Sequence, residues 1–286
     1  MIIVRLSGGL GNQIFQYAAG RALAISHSTD LALDVRALQT DKLRRFALRP
    51  FSLKTVSLGK VRLPPSRRNP FAFVLWRITT GRCLTYHRER NFLFDPGVLS
   101  LGSDVYLHGY WQSEKYFRAA ADAIRADLVV TATPSELNAA RLHAMTSSLS
   151  VSVHVRRGDY AADPETNAIY GTCTVDYYQA AARLLAEKLG AGPVFWIFSD
   201  DSDWAAANVK LPFASRYVTN GPGEQPAEDL RLMSACRHHI MANSTFSWWG
   251  AWLNPSPDKL IVAPRRWFKD SGRSDHDLVS ENWIRL

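Results

Sequence analysis

The stretch HVRRGDY, residues 154–160, places two adjacent arginines directly after an alternating apolar segment. An arginine at the end of a strand suits a diphosphate, because its planar guanidinium donates two charge-assisted hydrogen bonds. We expect one of Arg156 and Arg157 to face such a ligand and the other to brace the loop through an ion pair with Asp159. The alternative interpretation is that both arginines form structural ion pairs.

A glycine-rich loop follows the first apolar segment of the chain. It has the sequence SGGLGNQ, residues 7–13, and contains Gly8, Gly9 and Gly11. Glycines at such a place let the backbone approach a phosphate or a sugar, and a tight turn explains them equally well. The loop has neither the full GxGxxG spacing nor the Gly-Lys-Ser/Thr ending of a P-loop, so it is a weak signal when taken alone.

Two loops in the second half of the chain have side chains typical of helix caps. In NSTFSWWGAWL, residues 243–253, Ser244 and its neighbours would cap a helix N-terminus, which is either an anion site or simply the start of a core helix. In FSDDSDW, residues 198–204, the carboxylates of Asp201 and Asp203 would bind Mg²⁺ or Mn²⁺, or else Asp200, Asp201 or Ser202 would cap the next helix. For this second loop we favour the cap.

The elements that position these loops are predicted from hydrophobic periodicity. Strands are expected at residues 2–6, 31–35, 105–111, 151–155, 194–199, 216–219, 238–242 and 259–264. Helices are expected at residues 14–25, 113–130, 175–189, 202–209, 227–236 and 246–253. This alternation predicts parallel, doubly wound sheets with ligand sites at the carboxyl ends of their strands. Residues 1–135 would form an irregular α/β domain and residues 136–286 a regular Rossmann-like one, with the chemistry in the cleft between them.

The net charge of +8 over 286 residues is concentrated in one basic segment. Residues 36–90 contain 14 Lys and Arg but only two acids, a local charge of +12, so the remainder carries about −4. Such a segment indicates a polyanionic partner (nucleic acid, anionic lipid headgroups or a phosphorylated substrate) or a merely solvated basic face. A non-enzymatic nucleic-acid binder is therefore a rival interpretation, although the tryptophans within residues 248–252 fit a core helix better than a stacking platform.

The sequence also predicts a compartment. No stretch resembles a signal peptide, and the longest later apolar run, residues 71–76, is far too short to span a bilayer. Three widely spaced cysteines without a CxxC motif indicate a reduced compartment and no zinc site. We therefore expect a soluble, cytoplasmic protein.

Taken in order, GGLGNQIFQYAAGRALA, GYWQSEKYF, HVRRGDY, FSDD and NSTFSWWGAWL resemble the α-1,2-fucosyltransferase family of bacteria and animals. HxRRGD is shared with α-1,6- and protein O-fucosyltransferases, whereas the glycine loop and NSTFSWWGAWL narrow the resemblance to the α-1,2 group. The match covers the first 25 residues, residues 109–117 and much of residues 151–253. The resemblance implies a GT-B fold: two Rossmann-like domains with parallel sheets facing across a cleft, and the nucleotide sugar held mainly by the second.

The activity that the resemblance implies is that of an inverting galactoside α-1,2-fucosyltransferase. Such an enzyme moves L-fucose from GDP-β-L-fucose to the 2-hydroxyl of a terminal galactose, in O-antigen or another cell-surface glycan, with no cofactor and no required metal. A GDP-sugar transferase of other sugar or linkage specificity is the alternative. The acceptor is expected to be a galactose-terminated oligosaccharide, either free or linked to a lipid. Contact of the basic segment with an anionic inner membrane is a further hypothesis.

The roles of individual residues are carried over motif by motif. Arg156 would bind the β-phosphate and stabilise the charge that grows on GDP as the bond breaks. His154 would lie near the nucleoside, and Asp200 or Asp201 would accept hydrogen bonds from guanine. Further substrate contacts are expected from Gly9, Gly11, Ser244, Thr245, Phe246 and Ser247.

Inversion also requires that the galactose hydroxyl lose its proton. Asp159, Asp163 and Glu165 are candidates for the base, and Asn12 is a candidate for an orienting group only. A late proton transfer to the departing phosphate is the alternative. The sequence favours no single carboxylate.

Overall fold

The computed structural model describes residues 1–65, 69–80, 83–190, 192–219 and 225–286. The chain forms two compact units, Met1–Val129 and Val130–Leu286. Each unit is an α/β structure built on a parallel sheet, which confirms the predicted class. Residues 66–68 and 81–82 of the basic segment lie outside the described residues.

The sheet of the first unit has the strand order β2-β1-β4-β3, and its strand pairings are parallel. Its strands are β1 (Ile2–Arg5), β2 (Leu31–Asp34), β3 (Thr85–Arg88) and β4 (Val105–His108). Its helices are α1 (Leu10–Ser26), α2 (Arg36–Gln39), α3 (Pro70–Thr80) and α4 (Ala121–Asp127). The apolar residues of β1 are fully buried, as is typical of a central parallel strand covered on both faces. The sequence did not predict α3 and β3, which both lie in the basic segment.

The helix predicted for residues 113–130 is broken, which corrects that prediction. Short 3₁₀ helices at Glu114–Tyr116 and Arg118–Ala120 precede α4. Tyr116 and Phe117 are both buried, whereas consecutive side chains of an α-helix point about 100° apart. The backbone of Phe117 leaves the helical region, with φ −139° and ψ 8°, and this break accompanies the burial of both rings.

The strand predicted for residues 105–111 ends early, at His108. Beyond it, the carboxylate of Glu89 accepts hydrogen bonds from the backbone amides of Tyr110 (2.6 Å) and Trp111 (3.0 Å), so the chain turns instead of extending. Trp111 adopts a left-handed φ of 57° in this turn. Burial raises the pKa of Glu89, because a charged carboxylate loses solvation there.

The sheet of the second unit has the strand order β10-β9-β8-β5-β6-β7, again with parallel pairings. Its strands are β5 (Ser150–Val155), β6 (Val194–Ser199), β7 (Ser215–Val218), β8 (His238–Ile240), β9 (Ile261–Ala263) and β10 (Ile284–Arg285). Its helices are α5 (Glu136–Thr146), α6 (Gly158–Ala162), α7 (Pro164–Tyr170), α8 (Val175–Leu189), α9 (Ser202–Asn208), α10 (Pro226–Ala235) and α11 (Thr245–Leu253). The strands and helices predicted for this half are present, with boundaries that differ by at most two residues.

The core of the second unit fixes the edge at which its loops emerge. Valines of β5 pack with Tyr178 and Leu185 of α8 and with Ile197 of β6. Trp248, Trp249 and Trp252 of α11 are buried, which confirms that these tryptophans belong to the core. No helix within the described ranges is both long and apolar enough to cross a bilayer.

Candidate active site

Three of the predicted polar loops leave neighbouring strands of the second unit at one edge of the sheet. Strand β5 pairs with β6 on one side and with β8 on the other, in parallel register. The loop after β5 carries Arg156 and Arg157, the loop after β6 carries Asp200 and Asp201, and the segment after β8 leads into α11. The topology therefore gathers these side chains at the carboxyl ends of adjacent strands, as expected for a doubly wound sheet.

Arg156 is held between two carboxylates. Its Nη1 lies 2.7 Å from Oδ2 of Asp200, and its Nη2 donates a hydrogen bond to Oδ1 of Asp159. Its Cζ lies 5.1 Å from the ring centroid of Tyr160, in a cation–π arrangement. The Arg156 side chain is 21% exposed. The guanidinium is thus oriented by its neighbours and still open to a ligand.

Arg157 has a different environment. Its Cζ lies 3.7 Å from the ring centroid of Trp204, and its Nε lies 3.5 Å from Oδ2 of Asp201. The predicted pair between Arg157 and Asp159 is wrong, because Asp159 pairs with Arg156. Arg157 is the N-cap position of α6, whereas Arg156 lies just before it and reaches Asp159 in the first turn of the helix.

Asp200 ties the loop after β5 to the loop after β6. Its Oδ1 accepts a hydrogen bond from the backbone amide of Arg157 at 2.8 Å, while its Oδ2 bonds Arg156. Gly158 lies so close that an added Cβ would be 2.3 Å from Oδ2 of Asp200. Only glycine leaves room there for the carboxylate in this position.

Asp201 caps helix α9, so the predicted cap is confirmed and Asp201 is the one of its three candidates (Asp200, Asp201 and Ser202) that forms it. Its side chain accepts a hydrogen bond from the backbone amide of Trp204 at 3.2 Å. Within the described residues, no group of three or more His, Cys, Asp or Glu side chains is placed to hold a metal ion. The Asp201 carboxylate therefore serves the helix terminus and the Arg157 side chain.

The N-terminus of α11 is capped by Ser244, whose hydroxyl accepts from the backbone amide of Phe246 at 3.2 Å. Ser247 donates to the carbonyls of Ala242 and Ser244, at 3.1 Å each. Ser244 and Ser247 are buried, whereas Thr245 and Phe246 are half-buried. Of the four residues predicted to contact substrate, Thr245 and Phe246 are the two that reach the surface.

His154 is an almost buried, neutral ring at the end of β5. It is 4% exposed, and its ring lies 5.4 Å from that of Phe246. Burial, and secondarily the charge of Arg156, lower the pKa of His154 to about 3. Its Nδ1 has no hydrogen-bond partner among the described residues. The imidazole can therefore line a nucleoside pocket, but at neutral pH it adds no charge toward a phosphate.

The remaining predicted site residues lie in the first unit, in the glycine loop and the first turn of α1. Gly8 adopts φ 77°, and an added Cβ would lie 2.6 Å from Nδ2 of Asn12. Gly9 is the N-cap position of α1, and Gly11 is buried in its first turn. Oδ1 of Asn12 accepts a hydrogen bond from Nε2 of Gln112 at 2.8 Å.

The carboxylates predicted as candidates for the general base either have bonding partners within the protein or are exposed to solvent. Asp163 caps α7 by accepting from the backbone amide of Thr166 at 2.9 Å and from its hydroxyl, and these hydrogen bonds lower the pKa of Asp163. Glu165 is exposed in the first turn of α7. Asp159 is the ion-pair partner of Arg156. The structure thus commits Asp159 and Asp163 to positioning other groups.

The second unit also contains a cavity of about 520 Å³ that the sequence did not predict. Three basic side chains after β9, Arg265, Arg266 and Lys269, line it together with Asn243, the residue before the α11 cap. Nδ2 of Asn243 donates to the carbonyls of Tyr170 (2.9 Å) and Trp267 (3.1 Å), among others. The stretch PRRWFK follows a predicted strand, so the rule that identified the other loops would also have identified this one.

A cavity of similar volume, about 520 Å³, lies at the carboxyl ends of the strands of the first unit. Arg5, Arg88 and the Asp34–Arg36 pair line it, and Nη2 of Arg36 lies 2.8 Å from Oδ2 of Asp34. Burial alone would raise the pKa of Asp34, but hydrogen bonds from Arg36 and Tyr106 outweigh it and lower that pKa. The first unit therefore offers a polar, sugar-sized cavity.

Comparison with known proteins places the chain among glycosyltransferases. Residues 85–286 match the model of the family described as glycosyl transferase family 11. The chain is 33% identical to an α-1,2-colitosyltransferase of Escherichia coli, over 100% of this chain and 99% of that protein. It is 32% identical to the O-antigen biosynthesis glycosyltransferase WbnK of Escherichia coli, over 98% of this chain and 99% of that protein. Galactoside α-(1,2)-fucosyltransferase 2 of Rattus norvegicus is 33% identical over 41% of this chain and 33% of its own length.

The fold is shared with a solved structure. A mutant of FUT1 from Arabidopsis thaliana, determined in complex with GDP, aligns with a TM-score of 0.50 at 11% identity, over 91% of this chain and 69% of that one. At that identity the likeness shows the fold alone. With two α/β units on parallel sheets, it confirms the predicted GT-B fold class, and the relatives confirm the resemblance to α-1,2-fucosyltransferases.

Proposed function

The chain belongs to glycosyl transferase family 11, and we propose that it moves L-fucose from GDP-β-L-fucose to the 2-hydroxyl of a terminal galactose, with inversion at the anomeric carbon. The acceptor is a galactose-terminated oligosaccharide of an O-antigen or another cell-surface glycan. The observation that carries this proposal is the environment of Arg156. That cation is fixed between Asp159 and Asp200 at the carboxyl end of β5, and a ligand can still reach it.

The chemistry of the transfer requires such a cation. The bond between C1 of fucose and the β-phosphate oxygen breaks while O2 of galactose attacks from the opposite face. Negative charge grows on GDP during this step, so a fixed cation stabilises the transition state more than the ground state. A guanidinium has five N–H donors, and the hydrogen bonds of Arg156 to Asp159 and Asp200 leave donors for the β-phosphate.

We assign the proton of galactose O2, late in the reaction, to an oxygen of the departed phosphate; because O2 attacks from the face opposite the phosphate, the proton reaches that oxygen through solvent water after the bond to C1 has broken. Asp159 forms an ion pair with Arg156, and Asp163 caps α7, so both carboxylates already have bonding partners within the protein. In this scheme Asp159 positions the catalytic arginine and does not itself remove the proton. Asn12, which accepts from Gln112, is proposed to orient the acceptor.

The remaining contacts to the donor follow from the same loops. His154 and Phe246 are proposed to line the nucleoside, because their rings lie together and are uncharged at neutral pH. The carboxylate of Asp200 or Asp201 is proposed to accept from the guanine N–H groups. Other contacts are proposed for Gly9, Gly11, Ser244, Thr245 and Ser247.

We also propose that transfer needs no metal ion. In metal-dependent transferases a divalent cation stabilises the departing diphosphate. Here Arg156 can supply that charge, and Asp201 is engaged with the N-terminus of α9 and with Arg157. Activity measured after treatment with EDTA should equal that of untreated enzyme, and added Mn²⁺ should not raise it. A loss in EDTA that Mn²⁺ restores would contradict this proposal.

The direct test is a transfer assay with purified protein. GDP-fucose is incubated with a panel of terminal β-galactosides, and the linkage and anomeric configuration of each product are determined by NMR. The expected product carries α-fucose on O2 of galactose. Transfer to another hydroxyl, retention of the β configuration, or the absence of transfer to every galactoside would overturn the proposal.

A second candidate donor is colitose. Its support is the α-1,2-colitosyltransferase of Escherichia coli, to which the chain is 33% identical over 100% of its length. GDP-fucose and GDP-colitose are offered in competition at equal concentrations, and the two products are separated by mass. Preference for GDP-fucose supports the first proposal, and preference for GDP-colitose supports the second.

A further inference from the structure

Helix α3 presents four large apolar side chains to solvent. Phe71 is 87% exposed, Ile78 is 71% exposed, and Val74 and Leu75 are each 55% exposed. Their positions, i, i+3, i+4 and i+7, place them on one side of the helix. We call these four residues the apolar stripe of α3. Exposed apolar residues that form one patch, unlike single ones, indicate an interaction surface.

The opposite side of α3 anchors the helix to the first unit. Trp76 is buried, and its Nε1 donates a hydrogen bond to the carbonyl of Arg62 at 2.6 Å. Phe73 packs edge-to-face against Tyr86, with ring centroids 5.1 Å apart. The helix therefore has two apolar sides. One side packs against the first unit, and the opposite side, the apolar stripe, is exposed to solvent.

The surrounding segment is strongly basic. Residues 60–90 contain eight Lys and Arg but one acid, Glu89. The carboxylate of Glu89 bonds the backbone amides of Tyr110 and Trp111, so its charge is turned inward. Lys60, Arg62 and Arg77 are exposed. The apolar stripe therefore lies within a positively charged surface segment.

We propose that α3 is a membrane-interface helix whose apolar stripe enters the headgroup region of an anionic bilayer. An exposed apolar stripe and basic neighbours are the two features of helices that lie in the membrane surface. The basic residues would bind lipid phosphates, and the stripe would bury its side chains among the upper acyl carbons. With eleven residues, α3 lies along such a surface and does not cross it. A lipid-linked acceptor would be presented at the same surface.

The proposal is tested by flotation of the purified full chain with vesicles, which requires no transferase activity. One set of vesicles is phosphatidylcholine alone, and the other is an equal mixture of phosphatidylcholine and phosphatidylglycerol. The test variant is the double substitution Phe71→Ser with Ile78→Ser. The control is Val129→Ser with Leu137→Ser, which changes the last residue of the first unit and a residue of α5 whose side chains are 59% and 57% exposed. Thermal unfolding verifies that both variants are folded.

We expect binding to the mixed vesicles at low salt, little binding to neutral ones, and loss of binding as salt rises. The Phe71→Ser, Ile78→Ser variant should bind the mixed vesicles on the order of tenfold more weakly, while the control binds like the unmodified chain. Equal binding to both vesicle types, or an unchanged affinity of the test variant, would overturn the proposal. Sedimentation velocity identifies the rival occupant: a dimer that the test variant converts to monomer would assign the stripe to a second copy of the chain.

Discussion

Arg156 and Asp200 form an ion pair of 2.7 Å that links the ends of two adjacent parallel strands, β5 and β6. Both side chains are partly exposed, so the pair contributes little to folding stability, about 0–1 kcal/mol for exposed pairs. Its effect is geometric: together with Asp159 it fixes the guanidinium before any substrate binds. Stability and activity should therefore respond differently when this arginine is changed.

Replacing Arg156 with alanine should abolish transfer while the protein stays folded. By analogy with arginines that stabilise departing phosphates, kcat should fall on the order of 10³ to 10⁵-fold. The melting temperature should remain near that of the unmodified protein, since only partly exposed ion pairs are lost. Steady-state kinetics and thermal unfolding measure the two effects. Arg183→Ala, which changes an exposed arginine of α8, is the matched control and should keep full activity. A folded Arg156→Ala protein with near-normal turnover would contradict the role of Arg156 in stabilising the departing phosphate.

Adding one methyl group at Gly158 should disturb the same pair from the other side. In Gly158→Ala the new Cβ would lie 2.3 Å from Oδ2 of Asp200, so the carboxylate must move away from Arg156. Displacement of a catalytic group by about 1 Å lowers kcat/KM on the order of 10²-fold. Gly192→Ala is the control, because among the described residues, apart from its chain neighbours, no atom lies within 4 Å of the Cβ it would add. Equal kcat/KM for the two variants would show that the position of Asp200 does not matter for turnover.

The edge of the sheet that carries this site could be predicted from the sequence. Buried parallel strands appear as short apolar runs, and the polar residues after each run must emerge at the carboxyl ends of the strands. That rule placed Arg156, Asp200 and Ser244 at adjacent strand ends, where the structure has them. A cap by Asp200, Asp201 or Ser202 followed from local chemistry, because an Asp or Ser at the start of a helix satisfies free backbone amides, and the structure selects Asp201.

The pairing of side chains within the site could not be predicted in the same way. Asp159, in the first turn of α6, pairs with Arg156, which precedes that helix. Trp204 of α9 packs against Arg157, and this is a contact between distant parts of the sequence. The basic segment shows no clear helical periodicity of hydrophobic residues. Helix α3 has one apolar face in the core and another in solvent, so its sequence lacks the alternation of apolar and polar faces that identifies a surface helix. Such features depend on tertiary packing.

The two neighbouring glycines of the first loop should respond oppositely to alanine. Gly8 has a left-handed φ of 77° and an added Cβ would clash with Asn12, so Gly8→Ala should cost about 1–2 kcal/mol of unfolding free energy. Gly9 has φ −75°, and the nearest atom to an added Cβ is 3.8 Å away, so Gly9→Ala should fold normally. If the Gly9 backbone approaches the diphosphate, the KM for GDP-fucose should still rise on the order of tenfold.

Urea unfolding measures the loss of stability, and donor titrations measure the change in KM. Gly102→Ala is a control in the same unit, since no atom of the described chain other than its sequence neighbours lies within 4 Å of the added Cβ. An unchanged KM in a stable Gly9→Ala protein would remove Gly9 from the donor site. A stable Gly8→Ala protein would show that the strained turn can relax.

The buried histidine of β5 should make stability depend on pH. The pKa of His154 is about 3 in the folded protein, because burial disfavours the imidazolium, and about 6.5 in an unfolded chain. Between these values the unfolded state binds one more proton than the folded state. The unfolding free energy is therefore fully retained above about pH 6.5 and falls as the pH drops toward 3, by up to about 1.4 kcal/mol per pH unit from this group. Burial lowers the pKa of His239 in the same direction, so its contribution has the same sign.

Urea unfolding at a series of pH values between about 4 and 7 measures this slope, since acid shifts the midpoint through the same proton linkage. In His154→Gln the slope of unfolding free energy against pH should decrease by about 1.4 kcal/mol per pH unit, because the imidazole that takes up a proton only on unfolding is absent. His143→Gln, which removes an exposed histidine of α5, should leave the slope unchanged. The comparison uses slopes and not absolute stabilities, so it holds even if His154→Gln is less stable at every pH. Identical slopes for His154→Gln and the unmodified protein would mean that His154 titrates alike in the folded and unfolded states, and it would then be a cation beside Arg156 below about pH 6.5.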